Sequence, residues 1–364
     1  MPSYYNNETQ KWEAKFYYTD YTGKRHKTTK RGFRTKKEAQ EYERNFLCSK
    51  QKDCTMLFKT YCTCYLEDMQ PQLKLQTYNL KERIIRLKIL PFFDSKALNR
   101  ITSEDILTWQ NALLKQNLSR TYLRTIHNHM WALFNHATRY YGLQVNPCNA
   151  SKKLGSPKPK KLNYWTLDEY LKFIDLAKES LPQIYVVIYE VLFYSGARLG
   201  EVLALTFEDI TATGIDINKT YFRYKKEDHI TEPKSEKSIR TVSLPAFVME
   251  ELRQYMGTIY NAVPTDRIFP ITHRPVEKHL NDFAQKAGVR KIRVHDLRHS
   301  HVAMLINQGI LPYTIKERLG HESITTTMNT YGALYPDADI KVADLINSIA
   351  TKEYTGGQQN GTNK

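Results

Sequence analysis

The sequence lacks an apolar stretch that is long enough to cross a lipid bilayer. Its longest apolar run, IYVVIYEVLFY at residues 184–194, is interrupted by Glu190 and is shorter than the about 20 residues that a membrane helix needs. The N-terminal residues MPSYYNNETQKWEAK contain no apolar core of the kind found in secretory signals. We therefore expect a cytoplasmic protein that has no membrane partner.

Cysteine is scarce as well. The C-x-C pair and the odd total match neither a disulfide framework nor the ligand spacing of a zinc finger. This usage predicts a reduced, intracellular protein. The five cysteines are Cys48, Cys54, Cys62, Cys64 and Cys148.

Glycine-rich loops that bind nucleotide phosphates are absent. Neither G-x-G-x-x-G nor a Walker-type motif occurs, so nucleotide hydrolysis has no visible site. No internal repeat is present either. We expect no nucleotide cofactor.

Positive charge, by contrast, is in excess. Lys and Arg number 54 against 38 Asp and Glu, which gives a formal net charge of +16 over 364 residues. Such a surplus attracts polyanions, with nucleic acid as the first candidate and an anionic membrane surface as the second. A basic protein without either partner remains the alternative.

The N-terminal part, residues 1–50, has the pattern of a small α+β domain. In KWEAKFYY, apolar and polar residues alternate with the period of a strand, and RHKTTKRGF predicts one or two further strands. Thr35 and Glu38 form a capping-box pattern that opens a helix. We predict a three-stranded sheet plus a helix, with a basic face laid against DNA. A charged sheet edge that discourages aggregation is the alternative.

The next part, residues 53–150, is predicted to be an all-α domain. Its clearest helix begins after Ser119, a favourable N-cap residue, and ends before Gly142. Tyr122, Ile126, Met130 and Phe134 recur every four residues, which predicts a buried face. Residues 151–163 are rich in Ser, Pro, Gly and Lys and are predicted to be a linker.

Residues 164–364 are predicted to be mainly α-helical with a small antiparallel sheet. Thr166 and Glu169 form another capping-box pattern, and helices follow to about Tyr194. Strand-like runs, GIDINKTYFRY and SIRTVSLP, lie between residues 207 and 244, and helices resume near Pro275.

The stretch HDLRHSH, residues 295–301, raises the question of a metal site. His295 and His299 share one helix face, as in H-E-x-x-H. Asp296 is shorter than the glutamate that serves as the base in that motif, Arg298 repels a cation, and a third ligand is not evident. A metal site is therefore disfavoured. Arg298 and His295 can instead offer several donors to one phosphate, unless the arginine pairs with a nearby acid.

Tyr331 lies 33 residues beyond Arg298, at the second-last position of the stretch LGHESITTTMNTYG, residues 319–332. Pro312 is predicted to open the intervening helix and Gly320 to close it, with His321 at the turn. Tyr331 is either an ordinary packed tyrosine or, beside an arginine–histidine phosphate clamp, a nucleophile.

Together, these motifs resemble the C-terminal boxes of the tyrosine recombinases, the phage-integrase family. The matches are H-x-x-R at 295–298, L-G-H at 319–321, Tyr331, and SGARLGEVLAL with Arg198 and its acidic neighbour Glu201. TEPKSEKSIRTVSLP resembles the β-hairpin that bears the family's catalytic lysine and points to Lys234, with Lys237 nearby as the other candidate. The resemblance covers roughly residues 165–340. Residues 53–150 resemble the family's core-binding domain, and residues 10–50 resemble the arm-binding domain of some phage and conjugative-transposon integrases.

The resemblance implies a chemistry that needs neither metal nor ATP. Tyr331 would attack a DNA phosphate and form a 3′-phosphotyrosyl link, while Lys234 would protonate the leaving 5′-oxygen. Arg198, Arg298 and His321 would stabilise the transition state, His295 would help in acid–base transfer, and Glu201 would orient its neighbours. The implied partners are double-stranded DNA with core and arm sites, three further copies in a homotetramer that uses a C-terminal tail helix, and accessory excision or DNA-bending proteins.

Several alternatives remain open from the sequence. A type IB topoisomerase shares the chemistry, a chromosome or plasmid resolution recombinase lacks the arm domain, and a non-catalytic DNA-binding regulator would not need Tyr331. His299 and His301 match no catalytic box and are expected to pack the helix or to contact the DNA backbone. Neither the attachment sites nor the type of host element, phage or conjugative, follows from the sequence.

Overall fold

A computed structural model describes residues 3–19, 25–50, 54–155, 162–233, 236–334, 342–344 and 346–348. The chain divides into two compact units, Met1–Lys160 and Lys161–Lys364. This division falls inside the predicted linker, of which residues 156–161 lie outside the described part.

The N-terminal part of the first unit is an antiparallel three-stranded sheet covered on one face by a helix. Ala14 and Phe16 point toward the helix and are buried against Ala39, whereas Tyr17 lies half exposed on the opposite face. The predicted sheet and helix are confirmed, although RHKTTKRGF forms a single strand and the third strand precedes the alternating segment. The elements, in sheet order, are β1 (Ser3–Asn6), β2 (Lys11–Thr19) and β3 (Arg25–Phe33), followed by α1 (Lys36–Lys50).

The remainder of the first unit is helical, as predicted. Ser119 caps the longest helix by accepting a hydrogen bond from the Tyr122 backbone at 3.2 Å. Ile126, Met130 and Phe134 are fully buried, so the predicted apolar face is confirmed. The helices are α2 (Phe58–Met69), α3 (Leu75–Ile84), α4 (Leu90–Phe93), α5 (Ser103–Leu114) and α6 (Arg120–Tyr140), with a π-helical turn at Ile85–Ile89.

The cysteines of this unit differ from the expectation of a fully reduced set. Cys54, Cys62 and Cys148 are free, whereas Cys64 takes part in a disulfide. Spacing along the chain does not show which sulfur atoms the fold brings into bonding distance, so this bond could not be predicted from the sequence.

The second unit is built around one apolar helix. The run IYVVIYEVLFY forms most of this helix, and its residues from Val186 to Phe193 are buried. Within the described residues no helix combines the length and apolar character needed to cross a membrane. The helices are α7 (Leu167–Ser180), α8 (Gln183–Ser195), α9 (Leu199–Val202), α10 (Ala246–Gly257), α11 (His273–Lys286), α12 (Asp296–Asn307), α13 (Pro312–Leu319) and α14 (Ile324–Tyr331).

The small antiparallel sheet of this unit consists of two separate pairs of strands. Ile215 pairs with Val242 in one pair, and Tyr221 pairs with Ile230 in the other. The expected lysine-bearing hairpin at residues 231–245 is therefore corrected: its two strands belong to different pairs. Alternating periodicity identifies strands but not their partners. The strands are β4 (Gly214–Ile217) with β7 (Arg240–Ser243), and β5 (Thr220–Tyr224) with β6 (Glu227–Thr231).

Candidate active site

Arg298 lies on the first turn of α12 and is held by two backbone carbonyls. Its Nη1 donates to the Gly196 carbonyl at 2.7 Å, and its Nη2 donates to the Leu319 carbonyl at 2.8 Å. Gly196 ends α8 with a φ of 67°, and a Cβ atom there would lie 2.6 Å from the His301 ring. Glycine is therefore required at this turn.

The charge of Arg298 has no ion-pair partner within hydrogen-bond distance among the described residues, although its side chain is almost fully buried. Burial and repulsion by Arg198 lower its pKa to about 9, so the guanidinium is still protonated at neutral pH. Because burying a cation without an anion is costly, this site favours a negatively charged ligand.

Glu201 connects two further arginines. Its Oε1 lies 2.7 Å from Nη1 of Arg198, and its Oε2 lies 2.9 Å from Nη2 of Arg240. Burial alone would raise the pKa of Glu201, but Arg240 and Arg198 hold it below its ordinary value, so the group is a carboxylate. Arg240 also donates to the Arg318 carbonyl at 2.9 Å. Arg240 was not predicted as a site residue, although it is the arginine of the lysine motif PKS–S–R–V.

Tyr331 ends α14, and its hydroxyl lies 2.7 Å from Nδ1 of His299. The tyrosine is only 1% exposed. Burial raises its pKa to about 12, an effect that the positive charges of Arg298 and Arg198 partly oppose. His299 was expected to pack the helix or to contact the DNA backbone; its ring packs against His295 and also contacts the candidate nucleophile.

His295 and His321 are both neutral near pH 7. His295 is the N-cap residue of α12. Burial lowers its pKa to about 4, and electrostatic repulsion by His299 and Arg298 adds to this effect. His321 follows Gly320, whose φ of 66° closes α13, and its Nδ1 lies 2.8 Å from Thr327 Oγ1. Burial, then Arg298 and Arg198, lowers the pKa of His321 to about 4.

The structure thus brings most of the site residues predicted from the sequence into one cluster around Tyr331. Lys234 lies outside the described residues, so the structure gives no position for its side chain. Lys237 is exposed and influences the pKa of Glu317 on α13. The predicted residues of the cluster are Arg198, Glu201, His295, Arg298, His321 and Tyr331.

Two further residues of HDLRHSH, His301 and Asp296, are buried and paired with arginines. His301 is buried beneath Gly196 and accepts a hydrogen bond from Nε of Arg318 at 3.0 Å. Asp296 is buried and forms an ion pair with Arg293 at 2.6 Å. In the described part of the chain, no group of three His, Cys, Asp or Glu side chains has the arrangement of a metal site.

The arrangement is suited to one kind of chemistry. Arg198 and Arg298 act electrostatically on the Tyr331 hydroxyl, two neutral imidazoles lie beside these arginines, and the hydroxyl contacts the imidazole of His299. Fixed donors of this kind stabilise an anionic transition state in a site with little water. The geometry fits nucleophilic attack by tyrosine on a phosphate ester.

Three family models match the chain. The phage integrase family matches residues 163–337, the phage integrase N-terminal SAM-like domain matches residues 57–114, and the Arm DNA-binding domain matches residues 2–49. The matches follow one another along the chain without overlap.

Two curated relatives and two solved structures extend this result. The ICEBs1 integrase of Bacillus subtilis (strain 168) is 31% identical over 338 residues, covering 86% of this chain and 90% of that protein. A tyrosine recombinase XerC-like protein of Caldanaerobacter subterraneus subsp. tengcongensis is 27% identical over 286 residues, covering 68% and 71%.

Among solved structures, the Tn1549 transposon integrase in complex with transposon right end DNA has a TM-score of 0.66 at 19% identity, covering 76% of this chain and 95% of that one. A lambda integrase dimer bound to a COC′ core site has a TM-score of 0.59 at 16% identity, covering 92% and 94%. The likeness to these structures confirms the predicted fold. On the strength of the family models and the ICEBs1 relative, the chain belongs to the phage integrase family and is an integrase of the tyrosine recombinase type, an enzyme of site-specific DNA recombination.

Proposed function

We propose that Tyr331 attacks a phosphate of duplex DNA, forms a 3′-phosphotyrosyl intermediate, and so cuts and rejoins DNA to integrate and excise a mobile element. The observation that carries this proposal is the position of the Tyr331 hydroxyl, 2.7 Å from an imidazole nitrogen and within the electrostatic influence of Arg298 and Arg198. A covalent intermediate conserves the energy of the phosphodiester bond, so rejoining needs no ATP.

The remaining site residues stabilise the transition state. Arg198 and Arg298 contact the non-bridging oxygens of the phosphate and neutralise their growing charge. Nδ1 of His321 lies 2.8 Å from Thr327 Oγ1, so Nε2 is the nitrogen that would donate to the same oxygens. His295 contributes another neutral donor, and Glu201 orients Arg198.

The leaving 5′-oxygen needs a proton, and Lys234 is the proposed donor. The support is the match of PKS–S–R–V to the family's lysine motif, whose arginine is Arg240, the partner of Glu201 in the site. Lys237 is the alternative, because it lies in the same segment.

The domain boundaries are proposed as an arm-binding domain at 1–50, a core-binding domain at 53–150, a linker at 151–163 and a catalytic domain at 164–364. The arm-binding domain would contact DNA through the sheet face opposite α1. Tyr17 is half exposed there, with the Arg25 guanidinium 4.3 Å and the Lys27 amine 5.9 Å from its ring centre. Cations and aromatic rings on one exposed face favour a nucleic-acid backbone.

The proposed partners are core and arm sites of double-stranded DNA, three further copies in a homotetramer, and accessory excision or bending proteins. The tail residues Val342 and Ile346 are about half exposed and are available to a neighbouring copy. The likeness to the ICEBs1 integrase favours a conjugative element over a phage as the host. Because the substrate is chromosomal DNA, we place the enzyme in the bacterial cytoplasm.

The test uses a nicked suicide substrate that carries one end of the host element. The wild type should form a covalent protein–DNA adduct, whereas Tyr331→Phe should bind the same DNA without forming it. Adducts that persist in the phenylalanine variant would refute the assignment. Relaxation of any supercoiled plasmid, without exchange of partner strands, would indicate the topoisomerase alternative.

A further inference from the structure

Two side chains in HDLRHSH, His299 and Asp296, have no role in the chemistry proposed above. His299 contacts the Tyr331 hydroxyl, and Asp296 lies on the other side of the His299 ring. The hydroxyl lies 2.7 Å from Nδ1 of His299, and Nε2 of the same ring lies 3.9 Å from Oδ1 of Asp296. We propose that His299 is the general base that takes the Tyr331 proton during cleavage and returns it during rejoining, with Asp296 as its positioning residue. This inference rests on the proposed role of Tyr331 as nucleophile.

The chemistry requires a proton acceptor at this point. Burial raises the pKa of Tyr331 to about 12, so the phenol is protonated at neutral pH and is a weak nucleophile. A base that contacts the hydroxyl removes the proton as the new bond forms. The 2.7 Å contact already satisfies the geometric requirement for such a base.

His299 is in the correct protonation state to accept the proton. Burial, together with Arg293 and Arg298, lowers its pKa below the ordinary 6.5, and Asp296 only partly opposes this effect. The ring is therefore neutral at pH 7 and has a free lone pair. The charged and titratable groups that face it are Asp296, Arg293, Arg298 and His295 around the start of α12, and Tyr331 on α14.

Asp296, whose Oδ1 lies 3.9 Å from Nε2, acts through its charge and favours the tautomer that leaves this lone pair on Nδ1. Its carboxylate is fixed by the Arg293 side chain at 2.6 Å and by the Arg293 backbone N–H at 2.9 Å. Burial would raise the pKa of Asp296, but the hydrogen bonds from Arg293 keep it lowered, so the group is charged. A carboxylate on the Nε2 side favours a proton on Nε2, and it stabilises the imidazolium that forms when Nδ1 accepts a second proton.

The neighbouring His295 is less suited to this task. Its ring centre lies 5.2 Å from that of His299, and its pKa of about 4 makes it a weak base. Burial, then His299, Arg298 and Arg198, lower this pKa, so His295 lies within the influence of both site arginines. The two histidines of the HDLRH segment thus have different tasks.

Every proton that moves during cleavage returns during rejoining. In cleavage the O–H bond of Tyr331 breaks as its oxygen bonds to phosphorus; the proton passes to Nδ1 of His299. The bond from phosphorus to the 5′-oxygen breaks, and that oxygen takes a proton from Lys234, the donor proposed above. In rejoining, the 5′-hydroxyl attacks phosphorus and gives its proton to the lysine, and His299 returns its proton to the tyrosine.

The first test compares single-turnover cleavage of the suicide substrate by the wild type, His299→Asn and His299→Ala at pH 7.5. Asparagine keeps an acceptor oxygen near the position of Nδ1 but cannot take up the proton. We expect both variants to cleave about 100-fold or more slowly while binding the DNA as tightly as the wild type. Cleavage by His299→Asn at the wild-type rate would overturn the proposal, since a hydrogen bond would then suffice. Faster cleavage by His299→Ala would also overturn it, because the contact would then restrain the tyrosine.

The pH profile gives a readout that a purely structural role would not change. Cleavage by the wild type should fall as pH drops below the lowered pKa of His299, under 6.5, because the protonated ring cannot act as a base. His299→Asn should lack this limb, and its rate should rise toward alkaline pH as Tyr331 ionises. A wild-type acid limb that is retained in His299→Asn would assign the titration to another group and overturn the proposal.

A sulfur substitution separates the base from the acid. When the bridging 5′-oxygen is replaced by sulfur, the thiolate leaves without a proton because thiols have pKa values near 8.5. Lys234→Ala should regain cleavage on this substrate and His299→Asn should not. Rescue of His299→Asn by sulfur would mean that His299 acts on the leaving group.

The matched control is His279→Asn. His279 lies on α11 and packs against Tyr185, with ring centres 4.4 Å apart and ring planes tilted by 56°; it is not one of the residues clustered around Tyr331, so this variant should cleave at the wild-type rate. If the wild type itself forms no adduct, the proposed function fails. If the wild type forms adducts and His299→Asn cleaves as fast, only the base assignment fails.

Discussion

Nη2 of Arg240 lies 2.9 Å from Oε2 of Glu201, and both side chains are almost completely buried. Through the other oxygen of the same carboxylate, Arg240 is linked to Arg198. Arg240 also donates to the carbonyls of Ser238 and Arg318. One buried arginine therefore connects the segment after the lysine motif, the helix α13 and the first arginine of the site.

Replacing Arg240 should harm both stability and chemistry. In Arg240→Ala, the Glu201 carboxylate keeps its ion pair with Arg198 but loses its buried ion pair with Arg240. We therefore expect the free energy of unfolding to fall by about 3 kcal/mol. Arg198 should also lose its fixed orientation, and cleavage should slow. Chemical denaturation measures the first effect and single-turnover cleavage the second.

The control for this prediction is Arg223→Ala, which removes an ion pair with Asp228 whose side chains are both almost half exposed. Exposed pairs contribute about 1 kcal/mol or less. Equal losses of stability in the two variants would contradict the role given to Arg240.

Arg298→Lys should abolish most of the activity although the charge is kept. A lysine amine cannot donate to the Gly196 and Leu319 carbonyls at once while also facing a phosphate. We expect cleavage to slow by about 100-fold or more, with DNA binding in gel-shift assays largely retained. A lysine variant that cleaves at the wild-type rate would show that the planar guanidinium is not needed.

His301 should make the second unit less stable in acid. Burial and the Arg318 charge lower its pKa to about 3, whereas in the unfolded chain the pKa is near 6.5. Between these values the unfolded state binds more protons, so the free energy of unfolding falls as pH drops below 6.5, by up to about 1.4 kcal/mol per pH unit for one histidine.

His301→Gln keeps an acceptor for Arg318 but does not titrate, and it should reduce that slope. Urea unfolding at several pH values between 4 and 7 measures it. Identical slopes in the wild type and the variant would refute this prediction.

The exposed face of the N-terminal sheet should contribute to DNA binding through charge. Lys27→Ala should weaken binding to arm-site DNA and reduce the slope of log affinity against log salt by about 1. Lys37→Ala is the control, because Lys37 lies on α1, which covers the other face of the sheet. Equal salt slopes for both variants would argue against the assignment of this face.

Local features of the fold were predictable because their causes lie within a few residues. Ser119 and Thr166 cap their helices as predicted, since a side-chain oxygen at the N-cap satisfies the backbone N–H groups of the first turn. Gly320 ends α13 in the left-handed conformation that glycine adopts most readily. The six predicted site residues also lie together in the structure, because their spacing matches a family whose motifs span the domain.

Contacts between distant segments could not be predicted. The Tyr331–His299 hydrogen bond joins residues 32 positions apart on different helices, and the Arg240–Glu201 ion pair joins residues 39 positions apart. The strands around the lysine motif were identified, but their partners depend on which apolar faces the core covers. From sequence spacing alone, His299 was therefore expected only to pack the helix or to contact the DNA backbone, and Arg240 was not predicted as a site residue.

The most direct test of the central claim is to identify the residue that carries the DNA. The covalent adduct from the suicide substrate would be digested with nuclease and protease, and the modified peptide would be sequenced by mass spectrometry. We predict a 3′-linked nucleotide on Tyr331. A nucleotide attached to any other residue, or the complete absence of a modified peptide from cleaved DNA, would contradict the account.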